Sequence, residues 1–145
     1  MYPGHWASVK PHTDALVNTA TNERLSWTAL NDRSNQIAQL LHARGLRSGD
    51  HVALLMENHL DYFTIAWATF RSGLYLTCIN RYLTAEEAAY IINDSGSQAL
   101  FTSDALSSAE PLLNLIPDCT HRFCKGTLAG YEAFDTVVEL SLIHI

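Results

Sequence analysis

The chain has 145 residues, of which 48 % are apolar and 17 % are charged, and its formal charge is −6 at pH 7. This composition is typical of one globular domain and argues against a disordered chain. An acidic chain with only two lysines, Lys10 and Lys125, and no basic run also lacks the clustered positive charge that nucleic-acid binding needs.

Nothing in the sequence predicts export or a membrane span. The longest stretch without Asp, Glu, Lys or Arg is residues 34–43, about half of the roughly 20 residues that a spanning helix needs. The first residues lack the basic start and apolar run of a signal peptide. The three cysteines, Cys78, Cys119 and Cys124, have no metal-ligand spacing and are typical of reduced thiols. We therefore expect a cytoplasmic protein.

The first half of the chain alternates between strand-like and helix-like segments. Apolar runs at 15–17 and 25–27 flank a polar stretch and predict a hairpin. Apolar residues at helical spacing predict a helix over 28–44, which Gly45 would end as a left-handed cap. Residues 51–56 are a continuous apolar run, which is typical of a strand buried on both faces.

The next segments are an expected helix over 60–72 and a second buried strand over 74–79. The helix is rich in aromatic residues, and we expect Phe63, Trp67 and Phe70 to pack in the core.

Thr84 and Glu87 have the spacing of a capping box at the start of a third helix. The remaining expected elements are a strand at 98–102, a helix at 107–115, a strand at 121–124 and a helix at 131–140. Strands separated by helices of this length run parallel. The order from residue 28 onward therefore predicts an α/β fold of alternating βαβ units, with a mainly parallel sheet flanked by helices.

The sequence lacks the common motifs for dinucleotide, phosphate and metal binding. The turn at 56–59 after the first buried strand has no glycine, whereas a dinucleotide-binding turn needs several. Gly126 and Gly130 lack the Lys-Ser/Thr pair of a phosphate-binding loop and are interpreted as turn residues. The seven histidines never fall at spacings of three or four, so no metal site is expected. Glu86 and Glu87 are interpreted as helix-capping acids rather than a catalytic pair.

Two loops follow predicted parallel strands at the end where ligand crevices form. One contains Asn58, and the other contains Asn80 and Arg81. A structural role is the simpler interpretation of both loops, so we expect no catalytic, cofactor-binding or metal-binding residue in this chain.

Several spaced strings resemble the N-terminal region of AMP-forming acyl-CoA synthetases. Residues 45–58, GLRSGDHVALLMEN, are similar to the family's G-L-x-x-G-D-x-V-A-L-L-L-x-N. Residues 80–96, NRYLTAEEAAYIINDSG, are similar to its N-x-x-L-T-A-E-E-x-x-Y-I-x-x-D-S-G. The strings at 2–4 and 72–75 resemble the fatty-acyl branch most. The resemblance covers residues 2–103 and fades afterwards.

The resemblance implies the chemistry of a two-step ligase. In that family, a carboxylate attacks the α-phosphate of ATP with Mg²⁺ to give an acyl-adenylate and pyrophosphate, and coenzyme A then displaces AMP to give a thioester. It therefore implies ATP, Mg²⁺ and coenzyme A as cofactors, and a small carboxylic acid, fatty in this branch, as the substrate.

The family's glycine-rich phosphate loop, its nucleotide-contacting motifs and its C-terminal domain with a catalytic lysine are not found in these 145 residues. We therefore expect residues 1–140 to be part of the larger N-terminal domain of an adenylate-forming enzyme, inactive alone and binding no cofactor itself. Residues 141–145 resemble a translated sequencing adapter, and we expect a non-native tail there.

Two other interpretations stay open. The chain could be a free-standing α/β binding or regulatory module, whose partner supplies the missing half. It could also be a small nucleotide or flavin domain of the doubly wound type, although the glycine-free turn at 56–59 argues against it.

Overall fold

A computed structural model describes residues 2–143, with side chains up to residue 141. Its helices are α1 (Pro3–Val9), α2 (Trp27–Ala43), α3 (Leu60–Arg71), α4 (Ala85–Ser95), α5 (Ala109–Leu112) and α6 (Phe134–Ile143). A 3₁₀ turn, Leu113–Leu115, follows α5. The strands are β1 (Asp14–Val17), β2 (Arg24–Ser26), β3 (His51–Leu54), β4 (Tyr75–Cys78), β5 (Ala99–Ser103), β6 (His121–Lys125) and β7 (Glu132–Ala133).

The main sheet has five strands in the order β4-β3-β5-β6-β7, and all of its neighbours pair in parallel. Strands β1 and β2 form a separate antiparallel hairpin. The predicted α/β fold with a mainly parallel sheet is thus confirmed. Strand β7 was not predicted, because a segment of two residues is too short to show a periodic pattern. The helix expected over 131–140 begins after this strand, at Phe134.

Local capping interactions set the helix boundaries, and those at Gly45 and Thr84 are as the sequence predicts. The side chain of Ser26 accepts a hydrogen bond from the amide of Ala29 at 3.1 Å and so starts α2. Gly45 follows that helix with a φ of 92°, which glycine adopts without a Cβ clash. Thr84 and Glu87 form the predicted capping box of α4, with reciprocal hydrogen bonds of 3.2 and 2.9 Å.

The core lies on both faces of the sheet, since helices cover each face. Helices α2, α3 and α6 cover the first face around Phe101, whose ring stacks on Phe123 at 4.9 Å and meets Phe134 edge-on at 5.6 Å. Helices α4 and α5 cover the second face around Leu100. Strand β5 is buried along its whole length, as a central parallel strand should be.

Two expectations about burial are wrong. Strand β4 is not buried on both faces, because it is an edge strand and its terminal residues are exposed. The aromatic residues of α3 are not all in the core, because Phe63 and Phe70 are 50 % and 55 % exposed and Trp67 is half-buried. An apolar composition predicts that a segment is buried. It does not predict which face of the segment packs against other residues of this chain and which face stays exposed.

Smaller differences concern both ends of the chain. Helix α1 was not expected, and the helix expected over 107–115 is a four-residue helix followed by the 3₁₀ turn. Helix α6 includes residues 141–143, whereas 144 and 145 lie outside the described residues, so the non-native tail stays a prediction. In the part of the chain described, no helix has the length and apolar character needed to cross a bilayer.

Candidate functional site

The strand order creates a switch point between β3 and β5. The helix after β3, α3, covers the first face of the sheet, whereas the helix after β5, α5, covers the second. A crevice opens beyond the carboxyl ends of two such strands, and ligands of open α/β sheets commonly bind there. The candidate site is therefore the end of the sheet formed by the carboxyl ends of β3 and β5.

Glu57 and Ser103 meet at the switch point. The hydroxyl of Ser103 donates to Glu57 Oε1 at 3.0 Å and accepts from the amide of Ala105 at 3.1 Å. Among the described residues, Glu57 Oε2 and the hydroxyl oxygen of Thr102 are buried without a hydrogen-bond partner. Since buried polar atoms are normally paired, this edge retains unused hydrogen-bonding capacity.

Next to the switch point lies a group of four charged residues, which we call the Asp61 cluster: Arg33, Asp61, Lys125 and Asp135. Asp61 is in the first turn of α3, with its side chain only 9 % exposed. It accepts hydrogen bonds from Lys125 Nζ at 2.8 Å and Arg33 Nε at 3.2 Å. Asp135, in the first turn of α6, accepts from the same two cations at 3.0 and 2.6 Å. The cluster thus joins α2, α3 and α6 to the end of β6.

Charge balance sets the ionisation of these groups. Burial raises the pKa of Asp61, but the hydrogen bonds and charges of Lys125 and Arg33 outweigh it, so this pKa lies below its usual value. Burial also raises the pKa of Asp135, but the hydrogen bonds and charges of Lys125 and Arg33 outweigh it, so this pKa too lies below its usual value. Burial lowers the pKa of Lys125, but its two carboxylate partners raise this pKa by more than burial lowers it. The pKa of Lys125 therefore lies above its usual value, and the ammonium stays charged.

Both cations of the cluster also lie over one aromatic ring. The Arg33 guanidinium is 5.0 Å and Lys125 Nζ 5.8 Å from the centroid of Phe134. Two cations therefore face two carboxylates and a ring face, and their charges are matched within the chain. This arrangement can hold elements together, but it leaves neither cation unpaired for a phosphate group.

The residues of the two loops singled out in the sequence, Asn80 with Arg81 and Asn58, have different surroundings. Asn80 and Arg81 make local contacts. The Asn80 side chain accepts from the amide of Tyr82 at 2.9 Å, which fixes a turn. Arg81 donates to the Tyr82 hydroxyl at 2.6 Å and lies over its ring at 4.7 Å. Asn58 is exposed and lines a groove of about 710 Å³ between the β1–β2 hairpin and the start of α3. Asn58 thus lies on the wall of a groove that Asn80 and Arg81 do not line.

Both glycines interpreted as turn residues have a left-handed backbone. Gly126 has a φ of 96°, and a Cβ there would collide with the carboxylate of Asp104. That carboxylate accepts from the amide of Thr127 at 3.2 Å. The close approach of Asp104 orders the turn that follows Lys125, and it requires glycine at position 126.

Sequence reasoning missed Asp61 and Lys125 as partners. Asp61 is the single charged residue of residues 60–70, and Lys125 is one of only two lysines. A lone acid in an apolar helix has to find a buried counter-charge, and this signal could have selected Asp61. Its partner could not have been selected, because the two residues are 64 positions apart.

Comparison with known proteins identifies the family of the chain. A sequence model of the family described as "AMP-binding enzyme" matches residues 4–136. The chain belongs to this family. The match extends well past residue 103, where the recognisable strings end.

Curated relatives of this AMP-binding enzyme chain support the same assignment. It is 34 % identical over 133 residues to the long-chain-fatty-acid–CoA ligase FadD13 of Mycobacterium tuberculosis, covering 92 % of this chain and 25 % of that protein. It is 37 % identical over 127 residues to the fatty acid–[acyl-carrier-protein] ligase ScoC of Streptomyces coeruleorubidus, with coverages of 88 % and 24 %. The resemblance to acyl-CoA synthetases is thus confirmed. The chain spans about a quarter of the length of these relatives.

Solved structures give the same fold. The anthranilate CoA ligase AuaEII, in complex with anthranoyl-AMP, superimposes with a TM-score of 0.86 at 21 % identity, covering 95 % of this chain and 27 % of that one. The N-terminal domain of FACL13 from Mycobacterium tuberculosis superimposes with a TM-score of 0.74 at 27 % identity, with coverages of 84 % and 32 %. The fold is therefore that of part of the N-terminal domain of adenylate-forming enzymes.

Breaking the Asp61 cluster should destabilise the fold strongly. The substitution Asp61→Asn leaves Arg33 and Lys125 with one carboxylate between them, and we expect the free energy of unfolding to fall by about 3 kcal/mol. The control is Asp14→Asn, which removes an exposed ion pair with Arg24 and should change that free energy by less than about 1 kcal/mol. Urea denaturation monitored by circular dichroism measures both, and equal effects would contradict the role of the cluster.

The cluster should also make stability depend on acid pH. Because the pKa of Asp61 is lowered in the folded state, its contribution is complete above the unfolded-state pKa, near 4, and is lost as pH falls through the folded-state value. We expect the difference in unfolding free energy between the natural chain and Asp61→Asn to be constant from pH 7 to 5 and to shrink below about pH 4. Urea midpoints measured across this range provide the test, and a difference that persists at the lowest pH would contradict it.

Proposed function

We propose that this chain is the N-terminal part of an ATP-dependent fatty-acid–CoA ligase, which converts a carboxylic acid to its acyl-adenylate and then to the coenzyme A thioester. One observation carries the proposal: 92 % of the chain aligns at 34 % identity with a long-chain-fatty-acid–CoA ligase. The match of residues 4–136 to the AMP-binding enzyme family supports it.

We infer that these residues supply the scaffold and that the chemistry lies elsewhere in the enzyme. Transfer of an adenylyl group needs cations around the triphosphate and the reacting carboxylate. Lys125 and Arg33 are paired with two carboxylates, and Arg81 contacts the ring of its neighbour Tyr82. Residues 1–140 alone are therefore inactive under this proposal, and no catalytic residue is assigned to them.

The cofactors and substrate belong to the whole enzyme in this proposal. ATP, Mg²⁺ and coenzyme A would be bound by residues beyond these 145, and the substrate would be a fatty acid. The enzyme would act in the cytoplasm, without nucleic-acid partners.

A second candidate is a free-standing binding or regulatory module without catalysis. It is favoured by the completeness of the core, since the chain's own helices cover both faces of the sheet. Such a module would unfold cooperatively as a monomer and would bind a defined partner.

ATP–pyrophosphate exchange tests the proposed function. We expect no exchange above a blank from the 145-residue chain with ATP, Mg²⁺ and a fatty acid, because no phosphate loop is present. We expect clear exchange from the longer chain obtained by continuing the reading frame, which should contain a Thr-Ser-Gly-Thr-Thr-Gly-like loop. Exchange by the short chain would refute its inactivity, and a reading frame without such a loop would refute the ligase assignment.

A further inference from the structure

A groove of about 780 Å³ lies at the opposite end of the sheet from the switch point. Its walls are the last turns of α2, the loop 46–48 before β3, the end of α3 and one side of α6. Helix α3 runs back from the carboxyl end of β3 and ends at Arg71, shortly before β4 begins. The groove is therefore separate from the candidate site, and its volume is within the range of roughly 300–1,000 Å³ that is typical of small-molecule sites.

The floor and one wall of this groove are apolar. The floor consists of four nearly buried leucines, Leu40, Leu41, Leu46 and Leu74. Val137 and Leu140 line the groove from α6, and Leu140 is 49 % exposed. Covering exposed apolar surface is favourable in water, so this half of the groove suits an apolar ligand chain.

The charged side chains that line the groove are all basic. They are Arg44, Arg47 and Arg71, and His42 lies among them. Within the part of the chain that the structure describes, no aspartate or glutamate lines the groove. Because the whole chain has a formal charge of −6, the groove reverses the charge of its surroundings. A concave site lined by one sign of charge attracts ligands of the opposite sign.

Arg44 is neutralised within the chain, whereas Arg47 is not. Arg44 donates from Nη2 to Glu132 at 2.7 Å. Arg47 donates from Nη1 to the carbonyls of His42 and Leu46, at 2.8 Å each. The carboxylate of Asp50 accepts from the backbone amide of Arg47 at 2.7 Å, and no ion pair of the Arg47 guanidinium is found among the described residues. Arg47 thus keeps its charge and further donors for a ligand.

Arg71 also has only neutral acceptors among the residues described. It donates to the side-chain oxygens of Asn31, at 3.0 Å, and of Asn35. Burial lowers the pKa of Arg71 below its usual value, and the nearby Tyr2 raises it by less. A half-buried guanidinium without a carboxylate gains strong, charge-assisted hydrogen bonds when an anion binds beside it.

Arg47 and Arg71 belong to two segments that touch each other. The amide of Gly49 donates to the carbonyl of Gly73 at 2.9 Å, and the hydroxyl of Ser48 donates to the same carbonyl at 3.4 Å. Gly73 has a φ of 70°, and a Cβ there would lie 2.8 Å from Ser48 Oγ, so glycine permits this approach. The fold thus holds the two arginines on adjoining segments of the groove wall.

We propose that this groove, which we call the arginine groove and define by Leu40, Leu46, Arg47, Arg71 and Leu140, binds an amphipathic anion. The carboxylate or phosphate head group of the ligand accepts hydrogen bonds from the two arginines, and its acyl chain lies on the leucine floor. A wholly polar anion or a neutral lipid matches only half of this surface. The site lies apart from the carboxyl ends of the strands, so the proposal stands or falls independently of the proposed function.

Calorimetric titration of the 145-residue chain with twelve-carbon probes tests the ligand class. Dodecanoate and dodecyl phosphate, below their micelle concentrations, should each bind to one saturable site. Dodecanol has the same chain without the charge and should bind at least about 10-fold more weakly, because it makes no charge-assisted hydrogen bond. The tighter of the two anions identifies the head group. Equally tight binding of dodecanol, or no binding of either anion, would overturn the proposal.

Substitutions in each half of the arginine groove give a second readout. Arg47→Gln should weaken the binding of the tighter anion by about 10-fold or more. Leu140→Ser, on the apolar wall, should also weaken it, because the acyl chain loses buried contact area. The control is Arg24→Gln, which removes an exposed arginine of the β1–β2 hairpin and should leave the affinity unchanged. Circular dichroism checks that each variant is folded, and equal affinities of all four chains would refute the site.

Amide chemical shifts locate the ligand. Dodecanoate should shift the amide signals of residues 46–48 and 72–74 and leave those of Glu57 and Ser103 unchanged. Shifts concentrated at Glu57 and Ser103 would place the ligand at the carboxyl ends of the strands instead, and the arginine groove would be the wrong site.

The longer chain separates a small ligand from other occupants of the groove. Binding of dodecyl phosphate that Arg47→Gln weakens in both the short and the longer chain supports the proposal. If a longer chain active in ATP–pyrophosphate exchange does not bind this probe, a later segment fills the groove; the proposal is then wrong and the proposed function stands. If the short chain forms a dimer in sedimentation experiments that Leu140→Ser dissociates, a second copy is the occupant and the proposal is likewise wrong.

Discussion

The carboxylate of Asp61 is the constraint on which the arrangement of the first face depends. It is nearly buried at the start of α3, and an unpaired charge there would be costly. Its partners come from α2 and from the end of β6, and Asp135 of α6 shares both of them. Buried ion pairs add little net stability compared with apolar packing, but breaking one is costly. The cluster therefore selects one relative placement of three helices and the sheet.

This placement also determines what the carboxyl edge of the sheet can do. The cluster neutralises its own charges, and its cations lie over Phe134, whose ring meets Phe101 in the core. A charged site is thereby linked to apolar packing. The carboxyl ends of the strands therefore present no unpaired cation of this cluster to a phosphate group.

Local signals made much of the fold predictable. The apolar run at 51–56, the cap at Gly45 and the capping box of Thr84 and Glu87 each depend on neighbours in sequence, and each was predicted correctly. The edge position of β4 and the exposure of Phe63 depend on strand order, which no local pattern encodes. The two partners of Asp61 are 28 and 64 residues away from it, so the sequence could suggest that Asp61 needs a counter-charge but not which one.

A double-mutant cycle between Asp61 and Lys125 tests the central claim most directly. The cycle compares the unfolding free energies of Asp61→Asn, Lys125→Met and the combined variant with that of the natural chain. If the pair acts as a unit, the combined loss should be smaller than the sum of the single losses by about 1.5 kcal/mol or more. Losses that add to within about 0.5 kcal/mol would show that the two residues act independently, and would contradict the account.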